Sequence, residues 1–205
     1  TKQADNTIVV VTSDKGSFMF RIDEGKPDHI EDFSAVGYHP KHHQSNHIWR
    51  GTKADIYEGG HRVPLLVRWP SSIKAGSVSD HTTTLTDWYA TISELVDHRM
   101  TDGEGEDSFS LVPLLKGDGT WQRAPVINHS INGMFAIRDG KWKLIAGNGS
   151  GGRQAPRGKP FERPYQLYDL AADPSETKNL ISTHPQLAEA LEMKLDDIRN
   201  AGRSR

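Results

Sequence analysis

The chain contains no cysteine. That absence removes a disulfide framework, a thiolate metal centre and a cysteine nucleophile, and it leaves the redox compartment unreadable from thiols. Also missing is any apolar run approaching the roughly 18 residues a membrane-spanning helix needs, and mean hydropathy is -0.64. The start, Thr1-Lys2-Gln3-Ala4-Asp5, carries no signal-peptide pattern. Neither sign of charge dominates: 25 Lys and Arg stand against 27 Asp and Glu, a net charge of -2. Such a balance predicts no general affinity for nucleic acid or anionic membrane. No internal repeat is evident, and 205 residues suit one domain or two small ones.

The elements read as α/β. Ile8 to Val11 is an uninterrupted β-branched run, which predicts a strand of parallel type, buried on both faces. Residues 15 to 62 have few periodic apolar positions and many Gly, His, Pro and charged residues, the pattern of a long functional loop with at most short helical turns. Leu65 to Trp69 is a second buried strand. Leu85, Trp88, Tyr89, Ile92, Leu95 and Val96 keep helical spacing, with Thr84 or Thr86 available as caps. Beyond residue 123 the pattern becomes antiparallel sheet: Val126-Ile127, Met134 to Ile137 and Trp142 to Ile145 are short strands. Asp139-Gly140 is the hairpin signal between the last two. Gln166 to Leu170 and a closing helix with Leu187, Leu191, Leu195 and Ile198 on one face complete the chain.

The segment His47 to Pro64 concentrates cations, glycines and acids immediately before an apolar strand. Glycines let backbone approach a ligand closely, and Lys or Arg supplies charge for a tetrahedral anion such as sulfate or phosphate. Read locally, the same residues also suit a tight turn in which Glu58 pairs with Arg50 or Arg62 to hold the loop. His39, His42, His43 and His47 cluster upstream. They fall on no recognisable zinc spacing and read as substrate-loop residues. His129, at the end of a predicted strand, is a further candidate substrate contact.

Gly51 to Pro64 followed by Arg68-Trp69-Pro70 resembles the type I, formylglycine-dependent sulfatases of the alkaline phosphatase superfamily. There a Gly/Lys turn leads into Tyr-Glu-Gly-Gly-x-Arg-x-Pro and an apolar strand. Asn6 to Asp14 upstream, and Tyr168-Asp169-Leu170 with Asp173-Pro174-x-Glu176-Thr177-x-Asn179-Leu180 downstream, match in order. The resemblance covers nearly the whole chain and corresponds to the C-terminal portion of such an enzyme. It implies that residues 1–122 complete a large mixed-sheet α/β domain and that residues 123–205 form a small antiparallel subdomain with a terminal helix. It implies Lys53 as the catalytic lysine on the sulfate ester and Asp14 as a ligand of a divalent metal, calcium by resemblance; Arg50, read from its position, binds either the anion or Glu58, and His129 stays the candidate substrate contact that its strand-end position suggests. Here Lys15 stands where the family carries an Asn, which would replace an oxygen donor by a cation.

The family's nucleophile is a formylglycine made within Cys/Ser-x-Pro-x-Arg, and this sequence holds no such element. The nucleophile, most metal acids and other catalytic groups are therefore expected upstream of Thr1, and the chain by itself is expected to be inactive. The implied partner is a sulfate ester. A phosphate or phosphonate ester hydrolase of the same superfamily and a non-catalytic anion-binding remnant are the alternatives. The family suggests a periplasmic or secreted location, and a cut sheet suggests self-association or binding to an N-terminal fragment.

Overall fold

The computed structural model describes residues 2–17 and 45–205, with the backbone of short strands at 20–23, 26–27 and 37–38. Two compact units are formed, one from Thr1–Asp14, Pro64–Val126 and Asp197–Arg205, the other from Lys15–Val63 and Ile127–Asp196. His39, His42 and His43 lie outside the described residues.

In the first unit, strand β1 (Val9–Thr12) pairs with β5 (Leu65–Arg68), Val9 opposite Arg68 and Thr12 opposite Leu65. The pairing is antiparallel, which corrects the expected parallel type. Burial on both faces is also corrected, since Val11 is 57% and Leu66 60% exposed. The apolar run specified a strand correctly, but among the described residues its sheet has two strands.

Helix α2 (Asp87–Leu95) is likewise turned from its expected orientation. It buries Asp87, Ala90, Thr91 and Ser93, while Leu85, Tyr89, Ile92 and Val96 are exposed. Hydrogen bonding explains the inversion. Asp87 Oδ2 accepts the Thr84 N–H at 2.8 Å, which ties the segment before the helix to its first residue, and Oδ1 accepts the Phe109 N–H and a bond from Arg123 Nη2, both at 3.1 Å. Thr91 Oγ1 accepts the Leu111 N–H at 2.9 Å. A buried carboxylate needs such partners, so the polar face is the one that packs. A short helix, α3 (Val112–Leu115), follows.

In the second unit the expected long loop contains a small sheet of β2 (Phe20–Asp23), β3 (Lys26–Pro27) and β4 (Gly37–Tyr38), in the order β3-β2-β4. The helical turn α1 (Glu58–His61) ends that segment. A four-stranded sheet of β6 (Val126–His129), β7 (Phe135–Asp139), β8 (Trp142–Ala146) and β9 (Gln166–Asp169) then forms in sequence order. The β7–β8 hairpin turns where expected, with Gly140 at φ +58°, a left-handed value that glycine adopts without penalty. Helix α4 (Pro185–Ala201) buries Ala188, Leu191 and Leu195. Ile56 and Tyr57, just before α1, join Met134, Ala136, Ile145, Tyr168 and Leu170 in one apolar cluster. That burial ties the glycine-rich turn to the sheet.

Candidate functional site

The turn that carries Lys53 is held from three sides. Its own N–H donates to the Ser17 carbonyl at 2.9 Å. The Ser17 N–H donates to Asn46 Oδ1 at 3.0 Å, and Asn46 Nδ2 to the Gly51 carbonyl at 2.9 Å. Asp55 is fully buried. Its Oδ2 accepts the Thr52 N–H at 2.9 Å, and its Oδ1 accepts the N–H groups of Arg153 and, at 3.0 Å, Gln154. The loop after β6 adds a bond from the Ile131 N–H to the Ala54 carbonyl at 3.1 Å.

Two glycines make this closeness geometrically feasible. A Cβ on Gly59 would lie 2.3 Å from the Gly51 carbonyl oxygen, and one on Gly60 2.2 Å from that of Asp55. Side chains cannot occupy such spaces without backbone movement. The pair Gly59-Gly60 therefore serves close backbone packing rather than an unusual φ.

Behind the turn lies a buried ionic cluster. Lys143 is 0% exposed; its Nζ stands 3.0 Å from Glu58 Oε1 and 2.9 Å from Glu176 Oε1. Glu176 Oε2 also accepts the Glu58 N–H at 2.7 Å. Arg138 and Arg62 reach Glu58 Oε2 at 3.3 and 3.6 Å. Burial alone would raise the Glu58 carboxyl, but Lys143 and Arg138 outweigh it and hold the group below its ordinary range. Burial dominates at Glu176 and pushes its carboxyl up. A salt bridge of this kind contributes register more than net stability, because desolvation offsets much of the attraction. The local reading of Glu58 and Arg62 as a structural bracket holds.

Of the site residues expected from the sequence, Lys53 and His129 lie on segments that the structure brings together through Ala54 and Ile131. His129 is exposed, its Nδ1 3.0 Å from the Ser130 carbonyl and its ring 5.8 Å from that of Phe135. Arg50 supports the turn from within the same unit. Its Nη1 donates to the Glu176 carbonyl at 2.8 Å and to the Tyr168 hydroxyl at 3.3 Å, and its guanidinium stacks 3.8 Å from the Tyr57 ring centre. Asp14 belongs to the other unit. Asp55, Lys143 and Glu176 are not singled out by sequence pattern as members of the site. Lys143 carries no such signal, since between Trp142 and Leu144 it reads as the outward residue of an alternating strand, whereas the structure buries it against Glu58 and Glu176.

The fit of this chain to a metal is poor. Asp14 offers one carboxylate, Lys15 follows it, and among the described residues no three His, Cys, Asp or Glu are grouped to hold an ion. One carboxylate is fewer than the six to eight oxygens calcium takes.

A family model described as "N-sulphoglucosamine sulphohydrolase, C-terminal" matches residues 46–201. An N-acetylgalactosamine-6-O-sulfatase of Bacteroides thetaiotaomicron is 30% identical over 202 residues, 95% of this chain and 37% of the relative. A steryl-sulfatase of Mus musculus is 29% identical, covering 98% of this chain and 33% of its own length. A solved structure described with the metabolism of multiple glycosaminoglycans by Bacteroides thetaiotaomicron superposes with TM-score 0.79 at 28% identity. It covers 97% of this chain and 40% of that one. The chain thus spans between 33% and 37% of the length of these two curated relatives.

Proposed function

This chain belongs to the N-sulphoglucosamine sulphohydrolase C-terminal family, and from that premise we propose that it is the C-terminal portion of an enzyme hydrolysing a sulfate monoester to an alcohol and sulfate. The observation that carries the proposal is the Lys53 turn, fixed by Ser17, Asp55 and the packed Gly59-Gly60 pair. A fixed backbone sets the point from which the Lys53 side chain departs, which lowers the cost of bringing its ammonium to a departing oxygen. Lys53 is the proposed catalytic contact to the ester, with Arg50 and His129 as secondary contacts. Sulfatase relatives favour sulfate over the phosphate, phosphonate and remnant alternatives.

In the whole enzyme a hydrated formylglycine would supply the nucleophile; no residue here can become one. Asp14 is the one carboxylate proposed for a divalent ion, calcium by resemblance. Residues 1–122 are proposed to belong to the large α/β domain and 123–205 to the small subdomain, in a periplasmic or secreted protein.

Titration of the chain with inorganic sulfate tests the central contact. Lys53→Met is expected to weaken binding by about tenfold or more, the loss of one charge-assisted hydrogen bond. Equal affinity in the variant would refute the role of Lys53.

A further inference from the structure

Thr52, Lys53, Ala54 and Asp55 form a β-turn closed by the Asp55 N–H on the Thr52 carbonyl at 3.0 Å. Lys53 is its second residue and Ala54, at φ +84°, its third. Such a value is the mark of a type II turn, whose third position ordinarily takes glycine or asparagine. Here a side chain occupies it. His47, Asp97, Phe161 and Glu176, the other left-handed non-glycine residues among those described, have φ between 49° and 58°. They sit in or at the edge of the narrow left-handed well open to L-residues, roughly +50 to +70°, and Ala54 lies beyond it. The Ala54 backbone is therefore strained.

The strain persists because every residue of the turn is tied down. The Lys53 N–H donates to the Ser17 carbonyl at 2.9 Å, and the Ala54 carbonyl accepts the Ile131 N–H at 3.1 Å. Asp55 Oδ2 holds the Thr52 N–H at 2.9 Å, while its Oδ1 takes the N–H groups of Arg153 and Gln154. The Ile56 N–H, next along, donates to the Ser150 carbonyl at 2.8 Å. Gly152 packs so closely that a Cβ there would lie 2.4 Å from the Ala54 carbonyl oxygen. A type I turn over the same four residues would relieve Ala54, but it needs a different ψ at Lys53. The Lys53 Cα–Cβ bond would then be set differently against the rest of the loop.

We propose that Ala54 is a positioning residue for the sulfate site: its strained turn holds Lys53 in one backbone setting from which the side chain reaches the anion, and the fold is less stable for it. The inference rests on Lys53 contacting the ester. Glycine at position 54 adopts positive φ without penalty and is equally free to leave it, so the strain and the single setting are lost together. A residue that served packing alone would lose stability and affinity together. For Ala54 the two move in opposite directions.

The test measures the thermal midpoint and the affinity for inorganic sulfate, at fixed ionic strength, on the 205-residue chain as wild type, A54G, K53M and A54G/K53M. In A54G the midpoint is expected to rise by about 2–4 °C as strain is relieved, while sulfate binds about threefold or more weaker. In the K53M background the same substitution raises the midpoint equally and leaves the residual sulfate affinity unchanged, because Ala54 acts through Lys53. An A54G chain that binds sulfate like the wild type, that loses midpoint, or that weakens binding as much in the K53M background overturns the positioning role. If K53M alone binds sulfate like the wild type, or the wild type binds none, the Lys53 reading falls and the role of Ala54 with it. Weakened binding in K53M with unchanged binding in A54G removes the role of Ala54 alone.

Discussion

At the scale of single residues, His61 shows how the site's architecture becomes a measurable pH dependence. Burial, and then Lys143, push its imidazole down from 6.5 to about 4, with Glu58 pulling the other way. Its Nε2 is buried with no hydrogen-bond partner among the described residues. The unfolded imidazole takes up a proton that the folded one resists. Stability is therefore full above about pH 6.5 and declines as pH falls toward 4, by up to about 3 kcal/mol. The Glu176 carboxyl, shifted up, opposes this trend, so a variant is needed to isolate His61. Urea midpoints between pH 7 and 4.5 are expected to fall more steeply in the wild type than in His61→Phe. Parallel slopes would contradict the assignment.

At the scale of elements, the turn from Gly51 to Gly60 acts as one unit. Gly59→Ala is expected to cost about 1–3 kcal/mol through overpacking against the Gly51 and Arg50 carbonyls, and to weaken sulfate binding by moving Lys53. Gly119→Ala, with nothing within 4 Å, is the control and should leave both unchanged. Thermal unfolding and sulfate titration read the two effects. Equal midpoints for the two variants would show that the turn yields easily.

Much of this element is legible in the amino-acid sequence. Lys53, Glu58 and the glycine pair stand in a fixed local spacing, and the β7–β8 hairpin announces itself in Asp139-Gly140. What stays hidden depends on long-range partners. Asp55 reads as a loop acid until Arg153 and Gln154 arrive from 98 and 99 residues away. Helix α2 reads as apolar-face-inward because periodicity counts hydrophobic positions and does not see that Asp87 has buried partners at Phe109 and Arg123. The β1–β5 pairing direction is equally invisible, since β-branched runs suit either kind of ladder.

At the scale of the whole molecule, the first unit leaves apolar surface uncovered. Val11 at 57%, Leu66 at 60%, Ile92 at 56% and Val96 at 66% are more exposed than a soluble surface favours for such residues. Among the described residues no helix is long and apolar enough to cross a membrane. The isolated chain is expected to self-associate with rising concentration, or to bind an N-terminal fragment, and Ile92→Glu with Val96→Lys should reduce self-association. Light scattering gives the answer. A wild-type chain monomeric at every concentration would show that these surfaces attract no copy of themselves.

Binding of a sulfate ester without turnover is the central expectation for this chain. One incubation of the purified chain with an aryl sulfate addresses both halves, if amide shifts and released alcohol are followed together by NMR. The expected result is shifts centred on residues 51–55, abolished in Lys53→Met, with no alcohol above a buffer blank. Alcohol release that survives repurification, or an ester that leaves residues 51–55 unperturbed, would contradict it.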